Sequence, residues 1–113
     1  MNKTVDEIFE LLEKEEYLLA LTLCGELIDR FQARFMEELT VNTATDYVGA
    51  VILYAKICSV VKKPWMAYNH LETSRGALRF LRDFMTDSNT LAETYFSYAE
   101  AYARGSFLPE AVS

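Results

Sequence analysis

One histidine and two cysteines are all the imidazole and thiol chemistry that this chain of 113 residues carries. A nucleophilic or metal site needs more partners than that, at a set spacing. His70 follows Trp65 and Tyr68 and precedes Leu71, and it reads as a surface or boundary residue. Cys24 and Cys58 have no local signature that would pair either of them with the histidine. No HExxH, CxxC or phosphate-cradling glycine loop occurs. Glu15-Glu16 and Glu37-Glu38 are neighbours in sequence, so they point apart on a helix and form no catalytic carboxylate pair. No enzyme activity, cofactor or metal is expected.

The remaining chemistry is charge. Up to Asp46 there are four bases against eleven acids, a net −7. From Tyr47 to Phe84 six bases meet two acids, a net +4. The basic middle concentrates at Arg75, Arg79 and Arg82, which share one helical face. Such a patch suits an acidic partner, or an acidic region of a second copy. Beside Glu72 and Asp83 it also reads as an ordinary solvated face. Nucleic acid is not expected: three arginines on a chain of net −6 give little counterion release, and no recognition motif accompanies them.

The elements that must carry these groups are helices. Thr4-Val-Asp-Glu7 reads as a capping box, opening a short helix with Val5, Ile8, Leu11 and Leu12 on its apolar face and an end near Glu15. A second helix, from Glu16 to about Leu39, sets Ala20, Leu23, Cys24, Leu27, Ile28, Phe31 and Phe35 three or four apart. Gly25 inside it suggests a close crossing. Thr40 to Asp46 reads as a loop, with Thr43 or Thr45 as the next cap. The third helix, from about Asp46 to Val61, is apolar nearly all round, as a helix packed on two sides must be. Lys62-Lys63-Pro64 makes a turn, and one long fourth helix is expected from Trp65 to Phe84 or Met85, with Gly76 in its middle. Residues 86–89 cap a fifth helix, with Thr90-x-x-Glu93 as a further capping box. Gly105 and Ser106 break it, and Pro109 opens a sixth of about one turn.

Large and small residues alternate in a repeated order. Tyr95-x2-Tyr98-Ala99-x2-Tyr102 precedes Ala111, and Val51-x2-Tyr54-Ala55-x2-Cys58 precedes Ala67, Leu71 and Ser74. Ala55 to Ala67 is twelve steps, as is Ala99 to Ala111. A weaker copy sets Ile8 twelve steps before Ala20. This pattern resembles the tetratricopeptide repeat, a helix–turn–helix unit in which small residues mark the close approach of two helices. The spacing from Ala20 to Ala67 is 47 and from Ala67 to Ala111 is 44, longer than the usual 34 or so and overlapping HEAT-type repeats.

The resemblance implies an all-α, single-domain fold with approximate units 4–39, 46–86 and 88–113. Its antiparallel pairs would stack as a short right-handed superhelix of about five helices plus a C-terminal turn. It also implies a groove lined by the first helices of successive units. Here that groove would carry Ile52, Lys56 and Ser59 on the third helix and Phe96, Glu100 and Arg104 on the fifth. The family's clamp for a terminal carboxylate uses several Lys, Arg and Asn residues, and only Lys56 is present for it. The expected function is a protein-binding adaptor that takes a peptide or helix of a partner. The incomplete last pair is the candidate surface for a homodimer. A ligand- or peptide-sensing domain with an aromatic pocket near Trp65, Tyr68 and Tyr98 is the alternative.

Composition fits that outline. The chain is long enough for one core. It has no uninterrupted apolar run near the ~20 residues of a membrane span. The acid-rich N-terminus does not read as a signal peptide. With two inward cysteines read as reduced thiols, a cytoplasmic setting is the default.

Overall fold

Two helix stops made without glycine set the path of the chain. The computed structural model describes residues 3–106. Helix α1 (Lys3–Glu13) ends where Glu15 takes a left-handed φ of 59°. There Glu16 N–H donates to Leu11 C=O and Glu15 N–H to Leu12 C=O, which closes a Schellman turn. Helix α3 (Val41–Val60) ends in the same way at Lys62, with φ 62°, Lys63 N–H on Cys58 C=O and Lys62 N–H on Ser59 C=O. The turn expected at Lys62-Lys63-Pro64 is therefore present. Between these stops lies α2 (Tyr17–Glu37), close to the expected span.

Several expectations are corrected. Thr40 to Asp46 is not a loop: α3 begins at Val41, capped by Thr40. The Thr40 hydroxyl accepts from Thr43 N–H at 3.2 Å, and the Thr43 hydroxyl accepts from Thr40 N–H at 3.3 Å. This reciprocal cap satisfies two end donors, and burial of Ala44, Tyr47 and Val48 overrides the poor helix propensity of the threonines. The long fourth helix is also broken. Residues Pro64–Ala67 form a 3-10 turn, followed by α4 (Tyr68–Thr73) and α5 (Arg75–Phe84). At the break Ser74 is fully buried, and the Tyr98 hydroxyl donates to Leu71 C=O. The Ser74 hydroxyl lies 3.0 Å from that of Tyr98 and also donates to Leu71 C=O at 3.2 Å. Gly76 consequently sits in the first turn of α5, not in mid-helix. Last, α6 (Ser88–Gly105) is capped by Asp87, whose carboxylate accepts from Thr90 N–H and from the Thr90 hydroxyl. Thr90 and Glu93 thus stand inside the helix. The Thr4 hydroxyl, expected at a cap, accepts from the Arg30 guanidinium of α2 at 2.8 Å.

Helix α3 is central, as its all-round apolarity requires. It packs on α2 along one side and on the 3-10 turn, α5 and α6 along the others. Leu27, Ile28, Val48, Val51, Leu71 and Leu81 are buried to within 1 % of completely, each worth about 1.5–3 kcal/mol of transfer free energy. Cys24 and Cys58 are buried free thiols, with the Cys24 thiol directed to Ala50 C=O at 3.4 Å. The six α-helices among the described residues form a compact body with radius of gyration 13.9 Å, near the roughly 13 Å of a packed domain this size.

Of the alanines expected at close contacts, Ala55 and Ala67 are both buried. Ala99 is exposed, and Ala111 and the expected final turn at 109–113 lie outside the described residues. A Cβ at Gly25 would meet Tyr54 Cε2 at an ordinary 3.8 Å, so no close crossing demands that glycine. Gly105 is different. Helix α6 ends there, as expected, with Ser106 as its cap, and a Cβ at Gly105 would stand 3.1 Å from Pro64 C=O.

Candidate partner-binding groove

Of the seams that helix α6 makes, those with α3 and with α5 differ most. Along α3 the contact is direct. Lys56 and Ser59 face Glu100 and Arg104 there, as expected, together with Ala55 and Ala101. The space between them is only about 10 Å³, at the lower limit of what one water needs. Glu100 and Arg104 pair with each other at 3.7 Å. Ile52 is half-buried in the core, apart from this seam. Phe96, 71 % exposed, borders a separate hollow with Ala92 and Glu93. The structure therefore brings four of the six expected groove residues together and leaves no groove between them. Small residues at Ala55 and Ala101 let the helices close.

Along α5 the opposite holds. Helix α6 packs on the 3-10 turn and α4, and then the chain turns at Ser74 and α5 splays away from it. The wedge holds about 580 Å³. Its α5 wall is Arg75, Leu78, Arg79 and Arg82, and its α6 wall is Tyr95, Tyr98, Ala99, Tyr102 and Ala103. The arginine patch read from the sequence is thus one bank of a groove whose floor is aromatic. Tyr98 is buried, held by Leu71 and Ser74 as described. The Tyr102 hydroxyl donates to the Glu72 carboxylate, and the ring of Tyr68 packs behind it at 5.5 Å. That hydrogen bond first, then one from Tyr68 and the Arg75 guanidinium, hold the Glu72 carboxyl below its usual range.

The arginines are exposed and lightly engaged. Arg75 lies 3.4 Å from Glu72 and Arg82 lies 3.1 Å from Asp83, while Arg79 has no ion pair among the described residues. Exposed pairs of this kind contribute little, so an incoming carboxylate displaces them at small cost. Leu78 and the tyrosine rings supply apolar surface, and the guanidinium row supplies orientation. The arrangement can hold an extended or helical segment that is apolar on one side and acidic on the other. Sequence reading found the arginines but not the groove, because nothing in the chain marks Ser74 as a break.

A second hollow of about 630 Å³ opens between α1, α2 and α3, walled by Val5, Phe9, Phe31 and Leu53 with Arg34 and Asp46 at its edge. The one imidazole and the two thiols are withdrawn from solvent to differing degrees. His70 is half-buried, edge-on to the Tyr54 ring at 4.7 Å, and burial pushes its pKa down. Burial pushes the Cys24 thiol up to about 12, helped by Cys58, and the Cys58 thiol up to about 11. No cluster of three metal-ligating side chains occurs among the described residues. Among them, too, no helix is long and apolar enough to cross a membrane. Trp65 is half-buried in the 3-10 turn, and of the aromatic group expected with it only Tyr98 faces the wedge.

No family model, curated protein or solved structure matches the chain.

Proposed function

We propose that the protein is a binding module of the adaptor kind, which holds a peptide or helix of a partner protein in the wedge between α5 and α6. The observation that carries this reading is the wedge itself: an open space of about 580 Å³ with a tyrosine floor and three exposed arginines on one bank. Side chains of these types dominate the energetically important parts of protein interfaces. Helix α2 packs on both α1 and α3, and α3 also on the segment that follows it, so the helices form a compact body in which the tetratricopeptide-like stack stays an expectation. The binding surface is then not the first-helix groove of that family but the gap beside it. Buried, unpaired thiols suit a reducing cytoplasm.

The test uses two synthetic helical peptides, each with leucines at i, i+3 and i+7. One carries glutamates between them, the other lysines at the same positions. The acidic peptide is expected to shift the backbone NMR signals of Leu78, Ala99 and Tyr102, and the shifts are expected to vanish in Arg79→Glu. Equal binding of the basic peptide, or shifts confined to other surfaces, overturns the reading.

A further inference from the structure

We infer that the occupant of the α5–α6 wedge is helix α1 of a second copy of this chain. The inference rests on the wedge being a binding site. Its own evidence is a match in register and charge. On α5 the guanidinium groups stand at 75, 79 and 82. On α1 carboxylates stand at Asp6, Glu10 and Glu13. Both sets follow a spacing of four and then three, which draws a single stripe along a helix. With the two helices parallel, the three charges of one stripe meet the three of the other one to one. Antiparallel, the middle pair is displaced by one residue, about 1.5 Å.

All three acids are exposed and none has an ion-pair partner among the described residues. Phe9 borders the same stripe and is 52 % exposed, an apolar group of the kind a tyrosine-floored wedge accepts. The face that α1 uses within its own molecule is a different one, where Ile8 is completely buried. Helix α1 therefore presents its acidic stripe outward while it stays packed on α2. The segment that holds the stripe is net −7 and the segment that holds the arginines is net +4, so the long-range field favours the same approach. Each copy carries one stripe and one wedge. Reciprocal exchange closes a two-fold dimer, and one-way exchange propagates a chain of copies.

Charge exchange tests this by sedimentation of the full chain. The wild type is expected to self-associate and to weaken about tenfold or more between roughly 0.05 and 0.5 M salt. Arg79→Glu alone and Glu10→Arg alone are each expected to lose association by about tenfold or more, with thermal melts unchanged at dilutions where the wild type is itself monomeric, because both sites are exposed. An equimolar mixture of the two variants is expected to regain it, because every stripe then finds a wedge of opposite sign. Association that survives both variants, or that Glu10→Arg leaves intact, overturns the inference. So does a mixture that stays monomeric. A wild type that is monomeric while the acidic leucine peptide still fills the wedge removes the second copy as occupant and leaves the groove reading standing. If neither binds, both fall.

Discussion

The two sides of α6 began as equivalent positions in one pattern and end as opposite surfaces. Ala55 and Ala99 hold the same place in the repeated order of large and small residues. Ala55 is 4 % exposed, in the seam where α3 and α6 close to about 10 Å³. Ala99 is exposed, on the rim of a wedge of about 580 Å³. A small side chain permits close packing; it does not cause it. What decides is whether another helix is delivered to that spot. The 3-10 turn at Pro64 brings Ala67 in behind α3, whereas the break at Ser74 takes α5 away from α6.

The largest test of this contrast places one substitution at both alanines. Ala55→Leu is expected to destabilise the fold by about 1–3 kcal/mol through overpacking, and Ala99→Leu to stay within about 0.5 kcal/mol. Urea unfolding midpoints measure both. An equal cost at the two sites would mean that Ala99 is covered and the wedge is not open.

Next comes the hinge of the wedge. Tyr98→Phe removes one of the two hydroxyl donors of Leu71 C=O and the oxygen that lies 3.0 Å from the buried Ser74 hydroxyl. A loss of about 1–2 kcal/mol is expected, together with weaker binding of the acidic peptide as α5 loses its anchor. Full stability in Tyr98→Phe would detach the hydroxyl network from the geometry of the break.

The smallest effect lies away from both seams, at His70. Burial lowers its pKa from the ordinary 6.5, although Asp29 opposes this. The unfolded chain therefore takes up the proton first as the pH falls. Stability from this group is complete above 6.5 and declines as the pH drops through 6.5 towards the folded value. Glu72 and Asp87 are shifted down from 4.5 and 3.8, so their contribution is lost only at lower pH. A fall in unfolding midpoint between about pH 7 and 5.5 is expected, and His70→Gln should flatten it. A wild type with no slope in that window would place the imidazole in water.

Much of the fold was legible wherever local pattern and tertiary demand agreed. The stripe from Ala20 to Phe35 gave α2, because helical spacing of apolar residues has one cheap solution. The apolar run from Val48 to Val61 announced a helix with neighbours on two sides. Both cysteines were legible as core. Misreadings arose where a residue type has two uses. Threonines at 40 and 43 are loop formers by composition and a reciprocal cap in place. Gly105 is the helix stop its type announces and also the point where α6 touches the chain at Pro64, a second use that only the fold reveals. Lys56 and Ser59 of α3 stand beside Glu100 and Arg104 of α6, but adjacency closes the gap there rather than lining it.

By itself the sequence determined that the chain is helical, that α3 is its centre, that its thiols are withdrawn, and that a row of arginines faces outward. These follow from periodicity and charge, which act over one or two turns. Tertiary structure alone decided where the arginines look and what stands opposite them. The decisive event is a three-way contact among Leu71, Ser74 and Tyr98, residues up to 27 positions apart. It breaks one helix into two and opens the wedge, and it becomes visible only when α6 is already in place.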